Sequence, residues 1–196
     1  MTITYQIQFF SYWHTSSGLS GGANDDLLVM RNADGLPTIK GRTLKGLLRD
    51  AAYSIHSFHK NMMSEAMLIE IFGRGDDYFT KEDDKPVGDL DSNAGCAFFG
   101  DANLSESVAN EIKQQGYEKQ LYHAIASTAI TDQGVAKRYS LRKMEVTIPL
   151  MLYAEIHGVN EAQATALEDC LKWVKRLGLS RNRGLGYCEF SLLSNS

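Results

Sequence analysis

No apolar run in this 196-residue chain approaches the 18 residues that mark a membrane-spanning helix. The N-terminus, Met1-Thr2-Ile3-Thr4-Tyr5, lacks the basic start and long apolar stretch of a secretory signal. Cysteine is scarce and odd in number: Cys96, Cys170 and Cys188 lie far apart without CxxC spacing. That pattern argues against both a disulfide scaffold and a zinc ribbon. A reduced, cytoplasmic protein with no membrane partner is the expectation. There is no GxxxxGK[ST] run and no HExxH, so P-loop nucleotide hydrolysis and zincin-type peptidase chemistry are excluded. The five histidines (His14, His56, His59, His123, His157) form no metal-ligand spacing.

An excess of positive charge is also missing. Twenty Lys and Arg stand against 24 Asp and Glu, a net charge of −4. An anionic partner would therefore be held by local patches rather than by the whole surface. The charge is uneven. Residues 74–93 hold seven acids and three bases, so the rest of the chain is neutral overall. Bases cluster at 31–60, at 137–143 (Lys137, Arg138, Arg142, Lys143) and at 171–183 (Lys172, Lys175, Arg176, Arg181, Arg183).

The hydrophobic pattern predicts a mixed chain. Ile3, Tyr5, Ile7 and Phe9 alternate with polar residues over a strand at 2–12. Thr43 is the expected N-cap of a helix reaching Phe58, with Leu44, Leu47, Leu48, Ala51, Ala52 and Ile55 on one face. A short helix is expected from Ser64 to Phe72, stopped by Gly73. The acidic stretch at 74–94 has no periodicity and reads as a mobile insertion. Strands are expected at 96–104, at 123–130 and over Met144–Ile156, where Pro149 implies an edge or a bulge. A helix over Glu161–Leu177 with Gly178 as its C-cap leads to a last strand at 187–192. Without the insertions the order is β-α-β-β-α-β, an α+β, ferredoxin-like (RRM-like) single domain spanning 1–196, with loop insertions.

Two glycine-containing segments carry chemistry. The first runs from Gly35 to Arg49, where Lys40, Arg42, Lys45 and Arg49 surround a helix N-terminus, a ready anion site. Gly46 inside that helix costs about 1 kcal/mol against alanine, which suggests close packing there. The second is Gly178-Leu179-Ser180-Arg181-Asn182-Arg183-Gly184-Leu185-Gly186. A helix cap and a turn explain its first glycine but not two arginines between further glycines. Free backbone N–H groups beside arginines suit a phosphodiester chain.

These segments resemble the RAMP superfamily, the ferredoxin-like proteins of CRISPR systems. Gly178–Gly186 is similar to the C-terminal glycine-rich loop of that family. Pro37-x-Ile39-x-Gly41-x-x-Leu44-Lys45-Gly46-x-x-Arg49 is similar to the signature of the repeated backbone subunit of type III effector complexes. His14, Gly18–Gly22 before Asp26, Ile71-Phe72-Gly73, Phe99-Gly100-Asp101-Ala102 and Glu145 also match the family layout. The resemblance implies a subunit that binds CRISPR guide RNA and stacks with copies of itself and other effector subunits into a filament. It implies RNA binding through Lys40, Arg42, Lys45, Arg49, Arg181, Arg183, Gly184 and Gly186. It further implies metal-dependent cleavage of bound single-stranded target RNA by Asp26, with Mg²⁺ or another divalent cation as cofactor. Two alternatives remain open: a guide-RNA-processing endoribonuclease using His14 or His56, and a non-catalytic structural subunit.

Overall fold

The computed structural model describes residues 1–18, 27–74 and 94–193. Alternating side chains make Thr2–Phe9 a strand, β1, with Ile3, Tyr5, Ile7 and Phe9 buried on one face. Helix α1, Gly41–Phe58, lays Leu44, Leu48, Ala51, Ala52 and Ile55 against that face. Helix α2, Glu65–Phe72, starts at Ser64, whose hydroxyl accepts from the Met67 N–H, and ends at Gly73. Then come the two-residue strand β2, Phe98–Phe99, and helix α3, Glu106–Gln115. Strands β3, Tyr122–Ser127, and β4, Arg142–Thr147, form a hairpin. Strand β5, Met151–His157, helix α4, Glu161–Trp173, and strand β6, Cys188–Leu192, complete the chain.

The main sheet has the order β2-β5-β1-β6, each neighbouring pair antiparallel. Helices α1 and α4 cover one face, and their apolar stripes join the sheet residues in a single core. With α2, α3 and the hairpin set aside, the fold is ferredoxin-like, as expected. No helix among the described residues is long and apolar enough to cross a membrane. The expected mobile insertion at 74–94 falls almost wholly outside the described residues; its two flanks meet in a bridge between Gly73 and Ala94.

Several local expectations are corrected. Met144–Ile156 is two strands in two sheets rather than one. Pro149 cannot donate a ladder hydrogen bond, and there the chain leaves the hairpin for the main sheet. The expected strand at 96–104 shrinks to Phe98–Phe99 plus isolated bridges from Ala102 to Ile39 and from Asn103 to Tyr153. Helix α4 ends at Trp173, four residues early, because residues 174–177 extend and pair with the approach to β6: the Lys175 carbonyl accepts from the Cys188 N–H and Arg176 bridges Tyr187. Gly178 is therefore no helix cap. Thr43 is not the cap of α1 either; that place belongs to Lys40.

Candidate nucleic-acid interface

Residues 12–14 continue the line of β1 into a junction of three segments. Trp13 exchanges backbone hydrogen bonds with Thr147 of β4, at 3.1 and 2.8 Å. On the other side the Tyr12 carbonyl accepts from the Gly186 N–H at 2.8 Å, and the His14 carbonyl accepts from the Leu179 N–H at 2.9 Å. The glycine-rich loop and the base of the hairpin are thus mounted on the same three residues. Tyr12 also stacks on His123 of β3, ring centroids 5.8 Å apart.

That mounting explains two of the loop's glycines. Gly178 has φ +97°, and a Cβ there would lie 2.2 Å from the His14 carbonyl oxygen. Gly186 has φ +71°, and its Cβ would lie 1.9 Å from that of Leu177. Both conformations and both approaches need glycine. Gly186 is buried and serves the fold, whereas Gly184, φ +88°, faces open space. Between Gly178 and Gly184 a short 3₁₀ turn, Arg181–Arg183, holds both arginines at the surface. Arg176 donates to the Arg181 carbonyl at 3.1 Å and steadies the turn. Among the described residues no carboxylate pairs with Arg181 or Arg183.

The N-terminus of α1 is not the free anion site that its sequence suggests. Asp101 occupies it, accepting from the Gly41 N–H and from the Lys40 ammonium, each at 2.8 Å. Partial burial opposes ionisation of Asp101. The hydrogen bonds from Lys40 and Gly41 and the charges of Lys40 and Arg42 outweigh it and hold the carboxyl below its ordinary range. Lys40 is thereby neutralised, while Arg42 is exposed.

Further along α1, helical geometry puts Lys45 and Arg49 on one flank and Leu47, Asp50 and Ser54 on the crest and the other flank. The latter three line a groove together with Arg181. The two basic groups therefore stand on opposite sides of α1. Between them lies Gly46, and nothing among the described residues stands within 4 Å of where its Cβ would be. The expected close packing at Gly46 is not found among the described residues: with no side chain, the helix crest is low there. Arg49 has a buried Nε with no hydrogen-bond partner among the described residues. A buried orphan donor of this kind is costly until an acceptor reaches it.

Asp26 lies outside the described residues, but the chain immediately after it is well fixed. Leu27 bridges Met144, its carbonyl accepting from the Glu145 N–H at 3.1 Å. The Glu145 carboxylate accepts from the Val29 N–H at 3.0 Å and pairs with Arg31. Arg31 in turn lies over the Tyr122 ring, 3.8 Å from its centroid. Burial pushes the Tyr122 phenol above its ordinary range, the Arg31 charge pulling the other way. Arg31, Tyr122, His123 and Glu145 line a polar cleft of about 280 Å³. Glu145 was visible in sequence only as a family position; its bond to Arg31, 114 residues away, had no local signal.

His14 is fully buried, its Nδ1 2.6 Å from the Glu145 carbonyl oxygen. His56 spends its Nδ1 on the Met63 carbonyl at 2.8 Å. His14 is a strut between the glycine-loop side and the hairpin, and this removes it as an accessible acid or base. The hairpin itself was missed as a site. Its outer part exposes Ile130, Val135, Tyr139 and Leu141 beside Lys137, Arg138 and Arg142, a basic and apolar mixture that was legible only as a charge cluster. Among the described residues no group of three or more His, Cys, Asp or Glu could hold a metal ion.

The RAMP superfamily model matches residues 6–189. A search of curated protein sequences finds no match. Among solved structures, a chain of the type III-B Cmr-beta complex bound to cognate target RNA, determined by cryo-EM, has a TM-score of 0.69 at 12% identity, covering 98% of this chain and 97% of that one. A chain of the apo state of type III-B Cmr-beta also gives 0.69, at 14% identity, with coverage of 100% and 98%. At such identities the likeness is one of fold.

Proposed function

This chain belongs to the RAMP superfamily, and on that premise we propose that it is the guide-RNA-binding backbone subunit of a type III RNA-guided interference complex. The observation that carries the reading is electrostatic. In a chain of net charge −4, Lys45, Arg49, Arg181 and Arg183 have no carboxylate partner among the described residues. They flank a glycine-lowered helix crest and a glycine-shaped loop, where a phosphodiester backbone can approach closely. The solved chains of like fold come from type III-B complexes, one of them with target RNA bound. That supports RNA and other effector subunits as partners; stacking of further copies of this chain into a filament is part of the same proposal.

We further propose cleavage of the bound target RNA at Asp26. Mg²⁺ is commonly held by one or two carboxylates plus substrate phosphates and water, so a single aspartate fits it. The ion, when bound, supplies charge neutralisation at the scissile phosphate. The protein's part is to hold the target strand near Leu27, which β4 fixes through Met144 and Glu145. The nucleophile is the substrate's own 2′-OH: its oxygen bonds to the adjacent phosphorus, the 5′-oxygen of the next nucleotide leaves, and the hydroxyl proton passes through water to that leaving oxygen, giving a 2′,3′-cyclic phosphate and a 5′-OH, so DNA should resist.

RNA binding is tested by titrating labelled single-stranded guide-type RNA, read by fluorescence anisotropy over a series of salt concentrations. Each phosphate contact to a single strand contributes about 0.7 to the slope of log K against log salt. The double variant Arg181→Ala/Arg183→Ala should bind every sequence more weakly and flatten the slope by about 1.4. An unchanged slope removes both arginines from the interface.

A further inference from the structure

A groove between α1 and the segment after α4 is not used by the binding residues alone. It measures about 360 Å³ and is lined, among others, by Leu47, Asp50, Trp173, Lys175, Arg176 and Arg181. Trp173 is 45% exposed, and its ring is stacked with that of Phe58, itself 72% exposed, centroids 6.3 Å apart. An aromatic pair left in water beside a groove is an unusual expense for a protein that buries its other tryptophan, Trp13, completely. We propose that this groove receives a nucleobase of the bound RNA, stacked on Trp173, with the flanking phosphates on Lys175 and Arg181. The inference rests on the RNA-binding reading and adds a base-stacking subsite to it.

Charge selects the occupant. Lys175, Arg176 and Arg181 face one carboxylate, Asp50, and none of the three has an ion-pair partner among the described residues. A polyanion is favoured over a neutral apolar peptide. Arg181 belongs both to the groove and to the glycine-rich loop, so a strand on the loop passes the groove mouth. An indole face beside cations is how sequence-independent single-strand binders hold bases, because every base has a π-face to offer. Asp50 then faces the base or ribose rather than a phosphate, where its carboxylate can accept from an exocyclic amine or a 2′-OH.

The two tryptophans make the test direct. Trp13 is fully buried, so a change in indole emission on titration reports Trp173. A uridine-rich single-stranded RNA 12-mer should quench that emission saturably, in step with the rise in its anisotropy. Heparin, an anion without bases, should bind without quenching. Trp173→Phe should abolish the quench and keep affinity within about twofold, since phenylalanine still stacks. Trp173→Ala should weaken binding about fivefold or more, the lower end of a lost base–aromatic stack. RNA that binds with no quench overturns the subsite and leaves the RNA-binding reading intact. No RNA binding at all overturns both. An acidic peptide that quenches Trp173 and is not displaced by RNA assigns the groove to a protein and overturns the inference.

Discussion

Asp101 accepts a hydrogen bond from the Gly41 N–H, 2.8 Å away and 60 residues earlier in the chain. The N-terminus of α1 is thereby closed by the protein's own carboxylate, and Gly41 is glycine because a Cβ there would lie 1.9 Å from the Phe99 carbonyl oxygen. A phosphate meeting α1 must therefore do so along its flanks. Asp101→Ala should cost about 1 kcal/mol, as for other lost N-caps, seen as a lower Tm.

The same carboxylate sets a pH dependence. Its folded pKa lies below the ordinary aspartate value of about 3.9, so the unfolded chain binds the proton more readily. Its contribution is complete above that ordinary value and is lost as pH falls through the depressed folded one. In thermal melts between neutral and strongly acid pH, Asp101→Asn should lose less stability than the parent in the acid window. Parallel curves would show that the Lys40 and Gly41 contacts do not hold Asp101 ionised.

Gly46 offers two readouts of opposite sign. Since nothing among the described residues occupies the space beside it, Gly46→Ala and Gly46→Leu should stabilise α1 by up to about 1 kcal/mol. If the RNA backbone crosses the low crest between the Lys45 and Arg181 sides, Gly46→Leu should nonetheless bind RNA more weakly. A variant that is more stable and binds equally well would show that the strand does not cross there.

These residues also show what a sequence can and cannot disclose. The alternation in β1, the apolar stripe of α1 and the Ser64 and Gly73 boundaries of α2 are local signals, and each element formed where its signal lay. Pro149 announced a disturbance, but whether it made a bulge or a change of sheet depended on a partner strand, β3, about 25 residues upstream in the chain. Thr43 was a sound cap by type, but the helix starts three residues earlier, with Lys40 at the cap position and the Gly41 N–H satisfied by Asp101, which only the tertiary fold brings near. At the site, the arginines of the glycine-rich loop were legible because charge and glycine sit together in sequence. The Glu145–Arg31–Tyr122 chain and the Trp173 groove were not, because their members come from distant segments.

The three thiols should separate sharply. Burial pushes Cys170 and Cys188 up to about 12, whereas Cys96 is exposed. Thiolate is the reactive form, so at pH 8 the folded protein should react quickly with one equivalent of a chromogenic disulfide reagent and with all three only after unfolding. Fast modification of two or more thiols in the native state would contradict the packing of α4 against β6.

The cleavage proposal stands or falls on Asp26. A carboxylate such as that of Asp26 is a weak general base at neutral pH. The role left to it is electrostatic, as a ligand for a divalent cation, and the assembled complex should cut target RNA with Mg²⁺ and stop with EDTA. Asp26→Ala should abolish cutting while the guide binding proposed for Lys45, Arg49, Arg181 and Arg183 persists. Asp25→Ala is the control for general loss of negative charge in that segment and should leave cutting largely intact. A target with a 2′-deoxy residue at the cut position should bind and resist cleavage, because the internal nucleophile is gone. Full cutting by Asp26→Ala, or cutting untouched by EDTA, would overturn the cleavage proposal and leave only the proposed guide binding to be tested.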